Sequence, residues 1–80
     1  ETLHRLSNNV EALEIKVNKK SRAIETPLKD LDIKENVLIA YIIRDNKLIF
    51  PSGSDFIMVG DTVIVISKAN LIQNIDSILV

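Results

Sequence analysis

The sequence predicts an α+β domain, a small mixed or antiparallel β-sheet of about four strands with helices on one face. Three observations predict it. Residues Ala12 to Val17 alternate apolar and polar, as a half-buried strand does. Val37 to Arg44 and Thr62 to Ser67 are strongly apolar runs rich in β-branched side chains, which favour strands. Ile24, Leu28 and Leu31, and later Leu71, Ile72, Ile75, Ile78 and Leu79, recur at helical spacing. With 80 residues there is room for one domain, which buries somewhat more than about 60% of its unfolded surface. A domain of that size gains from assembly.

In chain order, Leu3, Leu6 and Val10 make a short helical stripe interrupted by Ser7, Asn8 and Asn9, so residues 1–10 read as a linker or the end of a preceding helix, and 11–80 as the domain. The strand at Ala12 to Val17 puts Leu13, Ile15 and Val17 on one face and Ala12, Glu14 and Lys16 on the other. Asn18 to Arg22 is a basic, solvated loop. Thr26 followed by Pro27 is an N-cap residue followed by the residue best tolerated at the first helical position, which places a short helix at Pro27 to Leu31. Strict alternation through Val37 to Arg44 sets Val37, Ile39, Tyr41 and Ile43 against Leu38, Ala40, Ile42 and Arg44, with small Ala40 marking a close approach. Seven of those eight residues are apolar, so both faces of the strand need cover: helices on one side and a partner subunit on the other. Asp45 and Asn46, both able to adopt positive φ, predict a hairpin to Lys47–Phe50. A loop follows at Pro51 to Asp55, then a short apolar run at Phe56 to Val59, a turn at Gly60-Asp61 and the second apolar strand. An amphipathic helix from Ala69 to Leu79 closes the chain over one sheet face.

Composition narrows the function classes. Ten basic and eleven acidic residues leave a net charge of −1, and without a basic field nucleic-acid binding is disfavoured. Only Tyr41, Phe50 and Phe56 carry rings, too few for a site built on aromatic stacking. The absence of cysteine removes disulfides and thiolate metal sites and is compatible with a reducing compartment. No apolar run approaches the roughly 18 residues of a membrane span, and no signal peptide opens the chain, which points to the cytoplasm. Beginning at Glu1 with no Met, the chain reads as a piece of a longer protein.

The residues for catalysis are missing as well. His4, the one histidine, falls in the expected linker with no second ligand or nucleophile to join it. Ser52 and Ser54 have no histidine base near them in sequence, and Gly53 and Gly60 belong to no phosphate-binding motif. The aspartates match no calcium loop, and caps and turns account for them. Arg44 is the one charge that interrupts the central strand, positioned either to hold an anion or to pair with Asp45 or Asp61. No catalytic residue and no metal site are expected.

Four stretches in order, VEALEIKV, PLKDLDI, NVLIAYIIRDNKLIFPSG and VGDTVIVIS, resemble the RCK_C or TrkA-C domain, the C-terminal regulatory domain of TrkA-type potassium uptake proteins. The resemblance covers nearly the whole chain. It implies a non-catalytic cytoplasmic module, peripheral to the inner face of the membrane, that follows a Rossmann-type domain. NAD(H) or ATP would belong to that preceding domain, and no cofactor to this one. It implies a homodimer acting on a membrane potassium channel or transporter subunit, with cyclic di-AMP as the ligand that some members bind in the dimer cleft. The corresponding ligand-binding positions here are Ile33, Lys34, Asn36, Val37, Leu38 and Ile39. Potassium-uptake members that bind cyclic di-AMP carry arginine near Lys34 and asparagine near Leu38, so this chain offers a point charge in place of a fork and lacks the amide. The alternative is a purely structural dimerisation or docking module.

Overall fold

Five strands form one antiparallel sheet in the order β1-β2-β5-β3-β4, seen in a computed structural model that describes residues 2–80. The strands are β1 (Thr2–Arg5), β2 (Val10–Lys16), β3 (Val37–Arg44), β4 (Lys47–Ile49) and β5 (Thr62–Lys68). Two 3₁₀ turns, Leu28–Asp30 and Ile75–Ile78, are the only helical elements among the described residues. The α+β expectation holds, with one strand more than the sequence suggested.

The additional strand is β1. Residues 1–10 were expected as linker or helix end, yet Leu3 lies opposite Leu13 and His4 opposite Ala12 in a ladder with β2. The Leu3, Leu6, Val10 spacing misleads because Leu3 and Leu6 are exposed rather than gathered on a buried stripe; ladder hydrogen bonds define the segment instead. Glu1 lies outside the described residues.

β3 begins and ends where the sequence places it, but its faces do not follow strict alternation. Ile39 lies opposite Val65 and Tyr41 opposite Ile64, so Ala40 is an extra residue bulged out of the ladder. Every side chain beyond it changes face. Val37, Ile39, Ile42 and Arg44 therefore share the core side with Val63 and Val65, and Leu38, Tyr41 and Ile43 share the opposite face with Ile64 and Ile66. The expected grouping of Ile42 with Leu38, and of Tyr41 with Val37, is corrected by that one residue. Asp45 and Asn46 do turn the chain, at φ of 51° and 61°, and deliver β4 in register with Ile42 opposite Ile49.

The helices expected at Pro27–Leu31 and Ala69–Leu79 are reduced to single turns. At the first, Thr26 does not cap. The amides of Leu28 and Lys29 donate to the carbonyls of Asp55 and Gly53, so the segment is held by a neighbouring loop rather than by its own turns. At the second, Asn70 has φ of 65° and Asn74 is extended and caps the turn through Ser77, which restarts the chain too late for an α-helix. Asn, Asp, Ser and β-branched Ile fill the segment, and a run this short lacks the propensity to hold a helix. Leu79 then bridges Ile33 as a strand does.

One face of the sheet is packed as the sequence requires. Leu13, Ile15, Val17, Ile42, Val63 and Val65 meet Ala23, Ile24, Ile57, Ile72, Ile78 and Leu79 from the connections. Each such aliphatic side chain stabilises the fold by about 1.5–3 kcal/mol. Phe56 to Val59 is no strand; it contributes Ile57, fully buried and bridged to Ile24. Among the described residues nothing packs over the other face. Leu38, Leu48 and Phe50 are each more than half exposed there, and the Tyr41 and Phe50 rings meet edge to face at 6.3 Å.

Candidate functional site

The entrance to β3 is built by three backbone contacts. Lys34 donates its amide to Ile78 O at 2.8 Å, Val80 donates to Asp32 O at 2.9 Å, and Lys68 donates to Asn36 O at 3.3 Å. Asn36 takes φ of 64°, a conformation asparagine tolerates better than most residues, and the chain turns there into the strand. Ile33 and Lys34 are thereby fixed beside the first residues of β3.

Of the six residues singled out from the sequence, five line one groove of about 390 Å³: Ile33, Lys34, Val37, Leu38 and Ile39. Asn36 does not. It is exposed and lines a second groove, which shares Val37 and Leu38 with the first. The far wall of the first groove is Lys29 with Pro51, Ser52 and Gly53, none of which strand reasoning had picked. Their one sequence signal was the Pro-x-Gly end of the hairpin. Gly53 donates no side chain for a physical reason: a Cβ there would sit 3.1 Å from Lys29 Cβ, tighter than ordinary contact. Proline 51 cannot donate a hydrogen bond to β3, and opposite the Ala40 bulge the β3–β4 ladder stops, which leaves the groove open.

Chemically the groove is lined by two lysines, Lys29 and Lys34, together with aliphatic side chains. Such a lining holds an anionic group that carries apolar surface. It supplies no general base. Ser52 and Ser54 hydroxyls bond to each other at 3.1 Å and Asp55 accepts from the Ser52 amide at 2.7 Å, a turn arrangement. His4 stands on β1, exposed. Among the described residues no cluster of three or more His, Cys, Asp or Glu could hold a metal ion.

Arg44 is engaged elsewhere. Its Nε and terminal nitrogen donate to the two oxygens of Asp61, each at 2.8 Å, and the same nitrogen donates to Phe56 O at 2.8 Å. Asp61, 1% exposed, also accepts from the Met58 amide. The hydrogen bond to Asp61 raises the Arg44 pKa above its ordinary value, and partial burial works against that rise. Arg44 is thus the clamp of the 56–61 turn and belongs to no anion site.

A small antiparallel sheet with one packed face, one apolar exposed face and a lysine-lined groove at a strand entrance defines a small α+β domain of the RCK_C type. Residues 12–80 match the family model for the TrkA-C domain, and the chain belongs to that family. TrkA-C, or RCK_C, domains are non-catalytic regulatory modules of potassium transport systems and often dimerise. Among curated relatives, the chain is 23% identical over 69 residues to the Trk system potassium uptake protein TrkA homolog 2 of Methanosarcina mazei, across 86% of this chain and 15% of the relative. It is 32% identical over 69 residues to the TrkA homolog of Archaeoglobus fulgidus, across 86% of this chain and 16% of the relative. The chain thus spans about one sixth of the length of these relatives. A solved structure of an RCK domain with cda superposes with a TM-score of 0.62 at 25% identity, covering 74% of this chain and 81% of that one.

Proposed function

We propose that this chain is the dimerising, ligand-sensing module of a Trk-type potassium uptake protein, lying in the cytoplasm against a membrane channel or transporter subunit. Two copies meet through the apolar half of the exposed sheet face, where Leu38, Tyr41, Ile43, Leu48 and Phe50 gather. The groove beside β3 takes a small anionic ligand, cyclic di-AMP, on Lys29 and Lys34. A ligand seated there acts by favouring one arrangement of the two copies over another, and the attached domain, which would hold any NAD(H) or ATP, carries that change to the transporter. The observation that carries this reading is the gathering of Ile33, Lys34, Val37, Leu38 and Ile39 into one lysine-rimmed groove bordering the exposed apolar face. The superposition on an RCK domain solved with cda supports it.

Sedimentation tests the dimer, and thermal melting with cyclic di-AMP at about a millimolar tests the ligand. A dimer whose melting temperature rises, and no longer rises after Lys34→Glu, is the expected result. A dimer with no shift leaves a structural docking module, and a monomer that binds nothing removes both.

A further inference from the structure

Lys16, Lys19, Lys20 and Arg22 stand within seven residues that hold no carboxylate, and all four are exposed. The net charge of the chain is −1, so attraction to an anionic partner has to come from a local concentration such as this one. The segment is fixed in shape. Asp76 accepts from the Ser21 hydroxyl and from the Arg22 amide, and Lys16, Lys19 and Lys20 line one hollow of about 410 Å³. Three hydrogen bonds join the segment to the 56–61 turn: Val17 N–H donates to Asp61 O at 2.8 Å, Gly60 N–H to Val17 O at 2.6 Å, and Lys16 Nζ to Gly60 O at 3.0 Å.

That turn carries apolar side chains where turns ordinarily carry polar ones. Asp61 N–H donates to Met58 O at 3.1 Å, which makes Val59 and Gly60 its central residues, and Phe56, Met58 and Val59 are 42%, 36% and 51% exposed. The fold gives these three no partner in the core, which takes only Ile57 from the segment. Around Gly60 the turn projects into open space, since a Cβ there would meet nothing within 4 Å. Of the carboxylates beside it, Asp61 is paired with Arg44 and Asp76 is held by the basic loop, which leaves exposed Glu25 and Asp45 against four cations. A projecting apolar tip beside a basic loop fits a surface that is anionic outside and apolar just beneath, where lysines stay at the headgroups and Phe, Met and Val enter. An acidic peptide would satisfy the lysines and leave the tip in water.

We propose that this end of the domain is a contact for an anionic lipid bilayer, with the 16–22 loop on the lipid phosphates and Phe56, Met58 and Val59 in the interface. The groove at the entrance to β3 lies at the other end of that strand, so the contact is independent of any ligand there.

Flotation with vesicles of equimolar phosphatidylglycerol and phosphatidylcholine, and with phosphatidylcholine alone, tests it. Binding is expected to the first only, and to fall about tenfold or more as salt rises from about 0.05 to about 0.5 M. Lys19→Gln and Lys20→Gln each weaken it about fivefold, the contribution of one basic residue near an anionic surface. Phe56→Ser and Val59→Ser each weaken it about three- to tenfold. Lys68→Gln, at the far end of β5, stays within about twofold of the parent. Melting curves check that each variant is folded. No binding to the anionic vesicles, equal binding to both kinds, or a loss at Lys68 as large as at Lys19 overturns the proposal. So does weakening by the lysine variants with no change at Phe56 and Val59, which leaves the basic loop to an acidic protein partner.

Discussion

Replacing Arg44 by alanine tests the account of the 56–61 turn most sharply. Asp61 is 1% exposed and accepts three charge-assisted or backbone hydrogen bonds, two from Arg44 and one from Met58 N–H. Arg44→Ala leaves that carboxylate buried with one donor. Removing one partner of a buried pair costs about 3–5 kcal/mol. Because the Arg44 side chain is 35% exposed, water already screens part of the pair, and the lower end, about 3 kcal/mol, is the expected loss. A domain of this size has a total stability of roughly 4–12 kcal/mol, and a melting temperature that moves about 4–8 °C per kcal/mol, so the drop is roughly 12–24 °C. Circular dichroism melting measures it, and amide hydrogen exchange locates it: Met58 and the Glu25 amide, which donates to Ile57 O, exchange faster in the variant. A drop smaller than about 4 °C, or faster exchange that spares Met58, would refute the claim that Arg44 holds this turn. The pH dependence follows from sign. Arg44 has a raised pKa, so its contribution is complete below the ordinary arginine range and is lost only as pH climbs through the folded value. The gap between parent and variant therefore stays constant from about pH 7 to about pH 10.

Three further outcomes follow from the packing and the turns. Ile57→Ala, at a fully buried position bridged to Ile24, lowers stability by about 2–5 kcal/mol in urea denaturation. Asn46→Gly relieves a positive φ of 61° and raises the melting temperature by a few degrees, whereas Asn46→Val lowers it, because a β-branched side chain resists that conformation. Deleting Ala40 removes the extra residue and leaves Tyr41 next to Ile39 in unbroken alternation, so Ile42 and Arg44 keep the core side, and the shortened chain is expected to keep a dispersed amide spectrum with the Ile42 amide protected from exchange.

Part of the proposed ligand groove was readable from the chain. Lys34 and the start of β3 stand together in sequence, and the resemblance to TrkA-C domains directed attention to them. Lys29 and Gly53 were not readable, because they become neighbours only when Lys29 N–H donates to Gly53 O at 3.0 Å and a residue without Cβ lets the two backbones close. Asn36 lines the neighbouring groove rather than the one that holds Lys34, since its positive φ turns the chain between the two.

Local patterning by itself determined β2, β3, β5 and the Asp45-Asn46 turn, because in each the side chains of neighbouring residues state the period or the φ that the backbone must take. Tertiary structure decided what depends on partners far along the chain. It made a strand of Thr2–Arg5 by pairing it with β2, it held the first expected helix to a single turn by drawing the Leu28 and Lys29 amides to a neighbouring loop, and it tied the end of the second to Ile33. It also placed one extra residue at Ala40. That bulge chooses which side chains of β3 enter the core and which stay on the exposed face, and a period of two read along the strand cannot show where the count is broken.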